Sequence, residues 1–180
     1  MQIWFLVTGV LVVLLLVFFV KTFNELKRLQ IKTKETLSGV EVALTKRFDM
    51  LTKMLDAAKG YMKHERETLI ETIKFRKGMN VSELNEASSK MDGFAASINA
   101  VAESYPELRS ATIFQELQTG IKDAEQHLQA ARRLYNSSVT ALNNVVVTIP
   151  TNIVAGICGI HKEDFFTAEE HKKADVKISF

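Results

Sequence analysis

A histidine beside a glutamate is the first place in this chain to look for chemistry. "KHERE" at 63–67 sets His64 against Glu65 and so opens the zinc-peptidase pattern H-E-x-x-H. In that pattern two imidazoles one turn apart share a helix face and hold the metal. The second imidazole is missing, because position 68 is Thr68. Glu65 instead suits the first turn of an expected helix, where acid complements the dipole. The other histidines, His127, His161 and His171, have no ligand spacing, and a metal on His161, Glu163, Asp164 and His171 would have to form in a polar tail. A single cysteine, Cys158, excludes an internal disulfide and a cysteine-cluster site. There is no G-x-S-x-G elbow, P-loop or G-x-G-x-x-G. The expectation is a protein that is not an enzyme and carries no metal or cofactor.

Arg132-Arg133-Leu134-Tyr135-Asn136 is a second dense patch of hydrogen-bonding groups. Three readings stay open for it: an exposed basic pair beside a core tyrosine, a buried polar network with Arg47 or Asp49, or a recognition patch. Burial would demand partners to offset desolvation.

Long helices must position these groups. Pro106 and Pro150 are the only prolines in 180 residues, and 23 basic residues nearly balance 21 acidic ones, so no net field draws in nucleic acid. Charge is absent from residues 1–20, where "IWFLVTGVLVVLLLVFFV" runs apolar for 18 residues. At helical rise this reaches roughly 27 Å, close to the ~30 Å hydrocarbon core of a bilayer. A cleaved signal peptide would start with charge and end at small residues, and neither feature occurs. Residues 1–20 therefore read as a transmembrane anchor. Lys21, Lys27 and Arg28 lie only on its C-terminal side, partly offset by Glu25. That bias puts the N-terminus outside and the remainder in the cytoplasm.

Beyond the anchor, Leu26, Leu29, Thr33, Leu37, Val40, Leu44, Phe48, Leu51, Leu55, Ala58 and Met62 recur by threes and fours, at the α-helical period. Gly60 is the first plausible stop. A shorter helix is expected at 64–77. Asn80 followed by Glu83 reads as a capping box opening the next helix, with Leu84, Met91, Phe94 and Ile98 on one side. Tyr105-Pro106 ends it, and Ser104 with Glu107 offers another capping pair. The last helix is expected over 107–149, with Phe114, Leu128, Tyr135, Leu142 and Ile149 on its inner face. Short connections favour antiparallel neighbours. The fold class is all-α: a transmembrane helix continuing into an antiparallel, up-and-down four-helix bundle over 21–150, with a parallel coiled coil as the alternative.

No Lys, Arg, Asp or Glu occurs from Leu134 to Ile160. Asn136, Ser138, Asn143, Asn144 and Pro150 argue against a second span there. Residues 134–149 are expected in the bundle core, while Ile153, Val154, Ile157 and Ile160 pack on its base or dip into the membrane interface. In the tail, 151–180, Phe165 and Phe166 look like a docking knob. Val176, Ile178 and Phe180 alternate like a strand; a partner's sheet edge, disorder, or folding back on the bundle remain open for them.

The landmarks in order resemble the LemA family of bacterial membrane proteins: the apolar anchor, "KRFDMLTKMLDAAKGYMKHERETL", "ESYPELR", "ARRLYNSSV" and "PTNIVAGICGIHKEDFF". The resemblance implies a LemA-like bundle, anchored once and mostly cytoplasmic, and brings no established activity. Family genes often neighbour those of peptidase-related or other envelope proteins. It also implies signature positions for fold or binding: Arg47, Phe48, Asp49, Tyr105, Pro106, Arg132, Arg133, Tyr135, Asn136, Pro150, Asn152 and Gly156. Where the family usually shows a Pro and an Asn, this chain has "DMLTKML", so no role is carried to that stretch. The functional expectation is a membrane-anchored interaction or scaffold protein of the envelope, with an envelope protein or a second copy as partner. The alternative is a regulatory accessory or adaptor of a membrane peptidase system.

Overall fold

Apolar residues on every side, followed by an apolar stripe with no proline, permit one unbroken helix across two environments. The computed structural model describes residues 1–58, 76 and 78–167. In it α1 (Gln2–Ala58) carries both patterns. All side chains through Phe18 are exposed, and Phe19 is the first with protein cover. Past that point the expected stripe turns inward, with Leu26, Val40, Leu44, Leu51, Leu55 and Ala58 fully buried. Apart from Arg76, which is not helical, the helix expected at 64–77 lies outside the described residues, as do the alternating residues near the C-terminus.

α2 (Val81–Ser104) begins at the expected box. Asn80 Oδ1 accepts from the Glu83 N–H at 2.9 Å, and Glu83 Oε2 accepts from the Asn80 N–H at 2.8 Å. The inward face holds Leu84, Met91, Phe94 and Ile98. At the far end Pro106 forces Tyr105 into extended backbone (φ −127°, ψ 91°). The expected Ser104–Glu107 pair does not form. Ser104 still lies inside α2, and its hydroxyl donates back to the Ala100 carbonyl at 3.2 Å. Pro106 takes the first position of a five-residue helix, α3 (Pro106–Ser110), where its missing N–H costs nothing. The long helix expected from 107 therefore starts later, as α4 (Thr112–Val147), after a break at Ala111 that no glycine or proline announces.

α4 also stops sooner than expected. Pro150 disfavours helix at Ile149, which is 78 % exposed rather than on the inner face. A last helix, α5 (Thr151–Ile157), leaves at 95° to α4. It closes on Gly159 (φ 64°): Gly159 N–H donates to Gly156 O and Ile160 N–H to Ala155 O, a Schellman ending that buries Ile160.

The chain divides into two compact units, Met1–Leu37 with Leu134–Asp164, and Ser38–Arg133 with the described residues from Phe165 onward. In the first, Leu26 shares a core with Leu142, and Thr36 Oγ1 lies 2.8 Å from Ser138 Oγ, so α1 and α4 run antiparallel. In the second, Glu41 accepts from the Gly78 N–H and Arg47 meets Asp92, which sets α2 parallel to α1. Ser88 meets Arg132 and Asn99 meets Gln118, which sets α4 antiparallel to α2. These directions follow the up-and-down order.

Removing the cap tests the start of α2. Asn80→Ala should lower unfolding free energy by about 1 kcal/mol. Denaturant titration of the protein in detergent reads this loss, and an unchanged midpoint would contradict the capping role.

Candidate functional site

Near the end of the apolar run, the first unit builds a small core from residues far apart in sequence. Leu26 of α1, Leu142 of α4, Val154 and Ala155 of α5, and Ile160 are buried together, with Phe19, Phe23, Val145, Val146 and Cys158 packed against them. Burial of this kind is worth about 1.5–3 kcal/mol per large aliphatic side chain. Thr151 Oγ1 donates to the Val145 carbonyl at 2.6 Å, satisfying an acceptor where α4 runs out. Asn152 donates its backbone N–H to Thr148 O at 2.8 Å, and its side-chain Oδ1 is buried with no hydrogen-bond partner among the described residues. Pro150 is exposed, as is Gly156, where an added Cβ would meet nothing within 4 Å. The three positions of this signature thus do different work: Pro150 stops α4, Asn152 sits half-buried in the first turn of α5, and Gly156 is exposed on α5.

The segment after α5 is tied back to α4. Tyr135, 1 % exposed, donates its hydroxyl to the Asp164 carbonyl at 2.9 Å. Asn143 grips the backbone of Glu163 from both sides: its Nδ2 donates to Glu163 O, and its Oδ1 accepts from Glu163 N–H, each at 2.9 Å. Asn136 is half-buried, and its carbonyl accepts from Thr140 Oγ1. Burial pushes the Tyr135 phenol up to about 12, with the Glu163 and Asp164 carboxylates adding to the shift. Among the options left open for the tail, folding back is therefore what its described part does.

In the second unit charge is used between helices. Arg47 is only 5 % exposed. Its Nη2 donates to Asp92 Oδ1 of α2, and its Nε lies 3.2 Å from Glu125 Oε2 of α4. The Nε contact is an ion pair whose angle falls outside hydrogen-bond range, and Nη1 is buried with no hydrogen-bond partner among the described residues. Arg132 donates to Ser88 Oγ and stacks over the Phe166 ring at 4.6 Å. Arg47 is thus engaged with Asp92 and Glu125, and Arg132 with Ser88 and Phe166, while Asp49 and Arg133 are exposed. Phe166 is buried and Phe165 is 44 % exposed, so half of the expected knob is seated on the protein itself. Tyr105, also 44 % exposed, marks the corner at Pro106. Near it Asn99, Glu103, Arg109 and Gln118 line a groove of about 330 Å³.

Asp92 and Glu125 escaped sequence reasoning because carboxylates stand on every helix surface. The Asn143 grip had no signal either, since it engages backbone. Among the described residues no three His, Cys, Asp or Glu side chains gather as a metal site. His127 and His161 are exposed, while His64 and His171 lie outside the described residues.

A family model described as the LemA family matches residues 36–180. The chain belongs to the LemA family. It is also 29 % identical over 161 residues to Protein LemA of Metamycoplasma hominis, covering 87 % of this chain and 74 % of that protein. The match to the LemA model begins after the apolar run, so the anchor stands outside the family's matched region. Within that region Arg47 and Tyr135 are buried and bonded, whereas Asp49, Tyr105 and Arg133 face outward.

Two substitutions separate these roles. Arg47→Met removes the cation shared by Asp92 and Glu125 and should cost about 3 kcal/mol, whereas adding Asp92→Leu and Glu125→Leu should recover part of that loss. Equal destabilisation of the single and triple variants in denaturant melts would refute the pairing. Tyr135 has a folded value near 12 against an ordinary 10, so its contribution is full below pH 10 and fades as pH rises toward 12. Tyr135→Phe should lose about 1 kcal/mol at neutral pH and flatten that alkaline decline. A parallel decline in both proteins would refute the assignment.

Proposed function

We propose that this LemA-family protein is a membrane-anchored helical interaction protein, a scaffold of the bacterial envelope. α1 fixes it in the inner membrane with the N-terminus outside and the helices in the cytoplasm. The observation that carries the reading is the burial pattern of α1. Eighteen consecutive residues through Phe18 are exposed, and Phe19, one residue before the apolar run ends at Val20, is the first that is not. An apolar helix left bare over that length fits hydrocarbon as its solvent. Lys21, Lys27 and Arg28 on the C-terminal side alone support the cytoplasmic orientation.

A binding role rather than a chemical one is supported by how the ionisable groups are used. Arg47 is engaged with Asp92 and Glu125, and Arg132 with Ser88 and Phe166. What α2, α3 and α4 leave outward are family positions such as Tyr105 and Arg133, residue types that serve well at protein interfaces. The partner is an envelope protein or a second copy of the chain.

Purification of the full chain from membranes in mild detergent should recover a stoichiometric partner or a homo-oligomer. Tyr105→Ala with Arg133→Ala, both at exposed positions, should weaken that recovery while leaving the melting temperature unchanged. A strictly monomeric protein with no enriched stoichiometric partner would overturn the scaffold reading.

A further inference from the structure

The outer face of α5 is apolar, uncharged and uncovered. Ile149 is 78 %, Ile153 59 % and Ile157 70 % exposed, next to the fully formed core of Val154 and Ala155. Consecutive helical residues are about 100° apart, so Ile153 and Ile157 share one face and Val154 and Ala155 turn to another. Gly156 lies between the two isoleucines with open space above it. A soluble surface would not ordinarily leave two isoleucines on one helix face, with a third exposed just before the helix, without a partner.

Three observations identify that partner. The first is level. α5 packs on a cluster that includes Phe19 and Phe23 of α1, and Phe19 belongs to the apolar run that ends at Val20. The second is direction. α4 runs antiparallel to α1, from Ser138 beside Thr36 down to Leu142 beside Leu26, and α5 then turns by 95°. Its axis therefore lies across α1, in the plane of the membrane that α1 pierces. The third is charge. No Lys, Arg, Asp or Glu occurs from Leu134 to Ile160, and the charges resume at Lys162, Glu163 and Asp164.

We propose that Ile149, Ile153 and Ile157 form a second membrane contact, a wedge seated at the headgroup–acyl boundary of the bilayer that α1 crosses. Apolar faces of interfacial helices sink about 5–10 Å into that boundary. The wedge and the span are joined through the buried core of Leu26, Val154, Ala155 and Ile160, so the two contacts fix the tilt of the emerging helix against the bilayer. This inference rests on the anchor reading above, and its test tells the two apart.

The protein has one tryptophan, Trp4. In a Trp4→Phe background, single tryptophans are placed at Ile153, Ile157, Leu11 in the span, and the exposed Gln126 of α4. The full chain is reconstituted in vesicles of phosphatidylethanolamine and phosphatidylglycerol whose acyl chains are brominated at shallow or deep carbons, with iodide on both faces. The wedge predicts blue-shifted emission from Ile153→Trp and Ile157→Trp relative to Gln126→Trp. It also predicts several-fold stronger quenching of those two by shallow than by deep bromines, and resistance to iodide. Leu11→Trp should favour deep bromines. Iodide quenching at 153 and 157 equal to that at 126 would mean a wet face and overturn the proposal. Protection from both iodide and bromine would mean that protein covers the face, which overturns it equally. If Leu11→Trp escapes lipid quenching, the anchor itself fails and the wedge with it.

Discussion

α1 carries two patterns in one unbroken helix, a form that fits two solvents in turn, and the neighbouring elements are arranged around it. In hydrocarbon no water bonds the backbone, so a spanning segment must satisfy every N–H and C=O internally. In water a helix draws most of its stability from a buried apolar face. α1 meets both demands in one run, apolar all round through Phe18 and striped by threes and fours thereafter. The handover happens at Phe19, the first side chain that other parts of the chain cover. A glycine or proline pair there would separate the two functions of the helix. The nearest glycines are Gly9 and Gly39, well to either side.

The two units solve their buried polarity differently, and the difference follows from dielectric. The unit that carries the apolar run buries Thr22, Thr33 and Ser138 as its polar groups, all neutral hydroxyls. Thr33 and Ser138 bond to carbonyls one turn back, at Leu29 and Tyr135. Such bonds need no counter-ion and tolerate a nearby membrane. The other unit buries Arg47, which must bring its acids with it. Desolvating an ion costs several kcal/mol even with partners in place, and that cost grows toward lipid. The buried guanidinium belongs to the unit that does not carry the apolar run.

Patterns of short range were readable in the sequence, and those of long range were not. The stripe of α1, the Asn80–Glu83 box and the stop at Tyr105-Pro106 are set by residues within a turn of each other, and all three are present. Ser104 with Glu107 matched the same spacing and failed, because Ser104 was already committed to α2. The break at Ala111 carries no local mark. Arg47 could be flagged as a candidate for a buried polar network, but nothing near it in sequence names Asp92 or Glu125. The uncharged stretch after Leu134 is expected from its sequence to pack in the bundle, on its base, or at the membrane interface. What the sequence left open was the split: Val154 and Ile160 went to the core, Ile153 and Ile157 to the outside. The 95° turn after α4 made that division, and a turn angle is a property of Pro150 and its packing together.

Asn143 explains why the chain beyond Ile160 can be so rich in charge and still be held. Its amide matches the peptide group of Glu163 as a donor and acceptor pair, a neutral contact with both partners satisfied. Tyr135 adds a third bond, again to backbone, at Asp164. His161, Lys162, Glu163 and Asp164 accordingly keep their side chains exposed, and none of the three hydrogen bonds depends on what those side chains are. Position 163 is therefore free in side-chain identity yet closed to proline, which would remove the N–H that Asn143 Oδ1 accepts. A strap gripped by its backbone can change its surface charge to suit a partner or a lipid headgroup without loosening from α4. That freedom comes from one neutral amide placed where a charged residue would have made the grip depend on the sequence it holds.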